Sequence, residues 1–191
     1  MKRLVQVIVF ILLIAAFIYL GSRDYKDKVK QNKKSNDPRD VLISDDTVFI
    51  ETNHSKILSK LSTNSSFILY ACINENKLCS KYGMLIDEIA KNYEINDVYY
   101  YDFKQDRDNN NGTYQKIISK LDKYLLTDDL GEQDLHAPTL IFVKNGIIYA
   151  FDDSLSSYHG NKKIDEIWNE ETINYKREFL IDTMEGYLLN E

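Results

Sequence analysis

The stretch Phe67–Tyr93, FILYACINENKLCSKYGMLIDEIAKNY, decides the fold. It opens with a short apolar run, Phe67-Ile68-Leu69-Tyr70-Ala71, bounded by Ser65-Ser66 and by polar residues after it, which predicts a buried strand. A polar hook follows, Asn74-Glu75-Asn76-Lys77. Leu85, Ile86, Ile89 and Ala90 then recur at spacings that share one helical face. Both cysteines of the protein flank the hook: Cys72 closes the strand and Cys79 stands where the helix begins. A thiol at a helix N-terminus meets the positive end of the helix dipole and unpaired backbone N–H groups, both of which favour its thiolate. Strand, hook and a cysteine at a helix start form a layout suited to thiol–disulfide chemistry.

Upstream, Thr47–Thr52 reads as a strand, and Asn53 caps a helix through Ile57, Leu58 and Leu61. A right-handed crossover then lays this strand parallel to the one at Phe67. Downstream, Val98–Phe103 is strand-like and Lys104–Gly112 reads as a loop. Tyr114–Leu126 is an amphipathic helix, and Thr127–His136 an acidic loop, either a solvated connection or a lip facing a partner. In Ala137-Pro138-Thr139-Leu140-Ile141-Phe142-Val143-Lys144-Asn145-Gly146, Leu140–Val143 is a strand, Asn145-Gly146 a hairpin turn, and Ile147–Phe151 the antiparallel return. Pro138 is tolerated before a strand, and its peptide bond can be cis. Ile164–Leu189 is helical, and longer than one docked helix needs, so it bends or runs past the sheet.

This order, together with the hook, Cys79 and Ala137–Gly146, resembles the thioredoxin superfamily over about Thr47 to Phe151. The resemblance implies an α/β fold, a central mixed sheet flanked by helices. Leu85-Ile86-Asp87-Glu88-Ile89-Ala90 matches the family's run after its Cys-x-x-Cys, and Cys79 falls on the second cysteine of that motif. The departures are as informative. Asn76 replaces the attacking cysteine, Cys72 the tryptophan at the strand end, Tyr70 the buried acid and Met84 the helix proline. Three functional expectations compete. The first is a non-catalytic binding or accessory module that takes a protein or peptide beside Asn76, Ala137 and Pro138, through backbone pairing. The second is a thiol–disulfide oxidoreductase with Cys72 and Cys79 as catalytic residues. The two sulfurs can also be inert, or form a fixed bridge; bridging requires Cα atoms within about 7 Å. The third is narrower: small anchored thioredoxin-like proteins occur as accessory factors in bacteriocin export.

The amino end adds a membrane partner. Leu4–Leu20 holds one polar residue, Gln6, in 17 positions. At 1.5 Å per residue it spans about 25 Å, the short end of a transmembrane helix. Its bulky close, Phe17-Ile18-Tyr19-Leu20, disfavours signal-peptide cleavage. We therefore expect a transmembrane anchor over 1–21, a charged linker over 22–43 and a thioredoxin-like domain over 44–191. By count, the lysines after the span favour a cytoplasmic domain under the positive-inside rule, whereas the short Lys2-Arg3 head resembles a signal anchor. The latter places the domain outside a single-pass cell-membrane anchor. Residues 22–39 carry seven basic and three acidic side chains, whereas 40–191 carry fifteen and twenty-seven. A basic tether thus joins an acidic domain, and it suits solvent or anionic headgroups. A net charge of −6 argues against nucleic acid. His54, His136 and His159 have no ligand spacing and two cysteines are too few for structural zinc, so no metal and no cofactor are expected.

Overall fold

The computed structural model describes residues 42–44, 46–127, 131, 133–156 and 163–189. The expected anchor, Leu4–Leu20, and nearly all of the linker lie outside the described residues. Among the described residues no helix is long and apolar enough to cross a membrane.

The described elements, in chain order, are β1 (Phe49–Glu51), α1 (His54–Leu61), β2 (Phe67–Cys72), α2 (Lys77–Asn92), β3 (Val98–Asp102), α3 (Lys104–Asp108), α4 (Gly112–Leu121), β4 (Thr139–Lys144), β5 (Ile147–Asp152), α5 (Ile164–Ile167) and α6 (Glu170–Leu189). The five strands form one sheet in the order β1-β3-β2-β4-β5. β1 and β2 both pair parallel with β3, which lies between them. β4 runs antiparallel to β2, and β5 antiparallel to β4.

All six residues of β2 are buried, as a central strand covered on both faces requires. Its side chains alternate between two cores. Ile68, Tyr70 and Cys72 join Leu140 and Phe142 under α2 and α6. Phe67, Leu69 and Ala71 join Ile141 and Val143 under α1 and α4. The caps follow the sequence chemistry. The Asn53 side chain accepts from Lys56 N, that of Asn76 from Leu78 N, and that of Asn111 from Thr113 N and Tyr114 N. Asn145 and Gly146 take left-handed φ values of 51° and 76°, the backbone of a tight hairpin turn.

Two expectations need correction, and a third, the bend in the terminal helix, is borne out. Lys104–Gly112 is not all loop: Asp102 Oδ1 accepts from Lys104 N and Phe103 O from Arg107 N, closing the short helix α3. α4 begins at Gly112, because Asn111 caps it, and it stops at Leu121. The long terminal helix is two pieces. Trp168 leaves helical geometry at ψ 63°, and the Asn169 side chain then accepts from Thr172 N to restart the chain as α6.

Candidate functional site

The strand–hook–helix unit places Cys72 at the end of β2 and Cys79 in the first turn of α2. The two are joined in a disulfide with Cα atoms 6.0 Å apart, so neither sulfur is a thiolate. Cys72 is fully buried and Cys79 is 1% exposed. The N-terminal position that would activate a free Cys79 instead holds it inside the core.

Asn76, expected near the binding site, is tied down twice. Its Oδ1 accepts from Leu78 N at 2.9 Å, and its Nδ2 donates to the Ala137 carbonyl at 3.1 Å. One side chain therefore caps α2 and pins the hook to the loop before β4. That loop carries Pro138, whose bond to Ala137 is cis. Pro138 is buried and Ala137 half-buried. The structure thus brings together Cys72, Cys79, Asn76, Ala137 and Pro138 at one end of the sheet. Replacing Asn76 with alanine removes a cap and a hydrogen bond, at about 1 kcal/mol each. The expected cost is about 1–2 kcal/mol in urea denaturation. Asn76→Ser keeps a cap and loses only the bond to Ala137, so it should cost less.

Below the disulfide, the Tyr70 hydroxyl donates to the Cys79 carbonyl at 2.7 Å. Burial pushes the Tyr70 phenol well above its ordinary range, helped by the neighbouring Tyr100 and Asp152. It is therefore a protonated donor throughout the physiological range. Tyr70 and Tyr82 meet edge to face, with ring centroids 6.0 Å apart.

Tyr82 leads to a group that sequence reasoning missed. Its hydroxyl donates to Asp152 Oδ2 at 2.6 Å, and Lys176 Nζ lies 2.6 Å from both Asp152 oxygens. Ser154 Oγ donates to Asp152 Oδ1 at 2.8 Å. Lys176 is 1% exposed and Asp152 7%. Burial alone would raise the Asp152 carboxyl; the Lys176 charge and the donors from Lys176, Tyr82 and Ser154 outweigh it and leave the group below the ordinary carboxylate value. A signal was present in the sequence. Lys176 occupies a core position of α6, four residues before Leu180, in a stripe that continues through Met184 and Tyr187.

Among the described residues no group of three or more histidine, cysteine or acidic side chains could hold a metal ion.

No family model matches the chain, and no curated protein matches it. Solved structures do. The crystal structure of thioredoxin O2 from Arabidopsis thaliana in its oxidized state aligns at 20% identity over 56% of this chain and 82% of that one, with a TM-score of 0.38. Thioredoxin O1 from the same plant, also oxidized, aligns at 16% identity over 62% and 90%, with a TM-score of 0.37. At those scores the assignment rests on this chain's own connectivity: three parallel strands, two antiparallel strands, and a helix-led core on each face of the sheet. The chain has a thioredoxin-like α/β fold that carries a Cys72–Cys79 disulfide in place of a Cys-x-x-Cys pair.

Proposed function

We propose that this protein is a membrane-anchored, non-catalytic thioredoxin-like module that binds a protein or peptide partner beside Ala137 and Pro138. One observation carries the reading. The position from which an attacking sulfur would act is Asn76, engaged as a helix cap and a loop clamp, while the two sulfurs present are bonded to each other in the core. An oxidised redox pair must present a sulfur that an incoming thiolate can attack, and both sulfurs here are buried. The partner expected is an extended segment pairing with backbone around the half-buried Ala137.

The test is insulin reduction with dithiothreitol as electron donor. The expected rate equals the uncatalysed one and is unchanged in Cys79→Ser. A rate above background that Cys79→Ser abolishes would overturn the module and leave the alternative, an oxidoreductase working through Cys72 and Cys79.

The anchor is Leu4–Leu20 and the domain lies outside the cell. A disulfide persists in oxidising compartments, which supports this side over the cytoplasm. Protease added to intact spheroplasts should digest the domain; full protection until lysis would reverse the assignment. A role in bacteriocin export is the narrower form of the proposal and stands on the family resemblance. Deleting the protein should lower export of a secreted peptide, and unchanged export of every such peptide would end that form.

A further inference from the structure

The segment before β1 lies along α2, the helix that carries Cys79. Leu42, the first described residue, is 2% exposed and joins the same core as Tyr70, Cys72, Cys79 and Tyr82. It sits over Gly83, one helical turn beyond Cys79. A Cβ placed on Gly83 would collide with Leu42 Cδ2 and come within 3.2 Å of Tyr70 Cε1. The absence of a side chain at position 83 therefore opens a notch that Leu42 fills against the Tyr70 ring. Two more contacts fasten the segment further along the helix. Val48 N donates to Asp87 Oδ1 at 2.8 Å, and Lys91 Nζ donates to the Asp46 carbonyl. Thr47 Oγ1 donates back to Leu42 O at 2.8 Å, which closes the segment on itself. The fastening points Gly83, Asp87 and Lys91 recur every four residues, along the α2 stripe that begins at Cys79.

We propose that residues 42–44 and 46–48 form a strap that gates the Cys72–Cys79 disulfide. With Leu42 in the Gly83 notch, the first turns of α2 are clamped to the sheet and the sulfurs are sealed. With Leu42 out, the Tyr70 ring loses its cover, and the turn that holds Cys79 can open without global unfolding. A reductant reaches a buried disulfide through such an opening or through global unfolding, so its rate reports the opened population wherever local opening is the more frequent. The inference is independent of the proposed binding role, since it concerns access to the disulfide and not turnover or partner capture.

The experiment is reduction of the full-length protein by excess tris(2-carboxyethyl)phosphine under native conditions, followed by alkylation and mass measurement of free thiols. The phosphine and water supply two electrons and two protons: the S–S bond becomes two thiols, and the phosphine becomes its oxide. Three variants separate the gate from general instability. Leu42→Ala empties the notch. Gly83→Ala forces the Leu42 side-chain tip out of the notch while giving α2 a better helix former, and the two changes oppose each other in stability. Leu121→Ala destabilises the opposite core, beneath α4. The expected result is reduction at least tenfold faster in Leu42→Ala and Gly83→Ala, with Gly83→Ala unfolding in urea at or near the wild-type midpoint. Leu121→Ala should stay within threefold of wild type. Reduction of Leu42→Ala and Gly83→Ala at the wild-type rate, or acceleration that tracks the urea midpoint across all three variants, would overturn the gate.

Discussion

Lys176→Met is expected to destabilise the domain by about 3–5 kcal/mol, the usual cost of stranding one member of a buried ion pair. The ammonium lies 2.6 Å from both Asp152 oxygens and is almost wholly buried, so no solvent is at hand to replace it. For a domain of this size the thermal midpoint should fall by about 10 °C or more. Asp152→Leu combined with Lys176→Met should recover part of that loss, because an apolar pair of similar volume avoids desolvating two charges. Recovery stays incomplete, since Tyr82 and Ser154 lose their acceptor.

The pH dependence gives an independent check. In the wild type the folded Asp152 carboxyl lies below its unfolded value. Its contribution is therefore complete above about pH 4, the unfolded value, and is lost as pH falls through the lower folded one. In Lys176→Met only burial and neutral donors remain, so the folded carboxyl moves up and the sign reverses. The variant's deficit should be largest near pH 7 and shrink toward pH 4. Urea midpoints for both proteins at those two pH values measure it. A constant gap would show that Lys176 acts through packing and not through charge.

The pair also shows where reading the sequence stops. Strands, caps and the hairpin were legible because each depends on neighbours in the chain: the apolar run at Phe67–Ala71, Asn53 ahead of a helix, Asn145-Gly146 between two strands. The position of β3 between β1 and β2 was not, since strand order depends on long-range pairing. Cys72 and Cys79 could be named, but whether they bond depends on how the hook at 73–76 folds back. The Asn76 amide settles that by reaching 61 positions along the chain to Ala137. Asp152 and Lys176 lie 24 residues apart across a strand end and a helix, so neither announces the other. What the sequence did carry was a lysine at an α6 position where the stripe calls for an apolar residue, and a core lysine demands an acid. Leu42 and Gly83 were equally silent. A lone leucine before a strand and a glycine inside a helix acquire meaning only when the chain lays one over the other.

Removing the disulfide is the second large effect, and it tests what the sulfurs are for. Cys72→Ala with Cys79→Ala opens a loop closed across a separation of seven residues. Chain entropy assigns such a loop about 2.5 kcal/mol, and the two missing sulfurs take core packing with them. The expected loss is about 3 kcal/mol, or roughly 6–12 °C in the thermal midpoint. Reducing the wild type should lower its midpoint by a similar amount, because both treatments release the same loop, while the double variant should not respond to reductant. The bond ties the first turn of α2 to the end of β2, so its loss should also loosen the hook and weaken Asn76's hold on the Ala137 carbonyl. Hydrogen exchange at Leu78 and Cys79 should then rise more than at Ile89 or Ala90, further along the same helix. A shift on reduction is expected of a structural bridge and of a redox pair alike, so the reduction potential tells them apart. Equilibration with a dithiothreitol buffer should place the Cys72–Cys79 bond below about −300 mV, the range of structural disulfides. A potential between about −270 and −120 mV would instead favour the oxidoreductase.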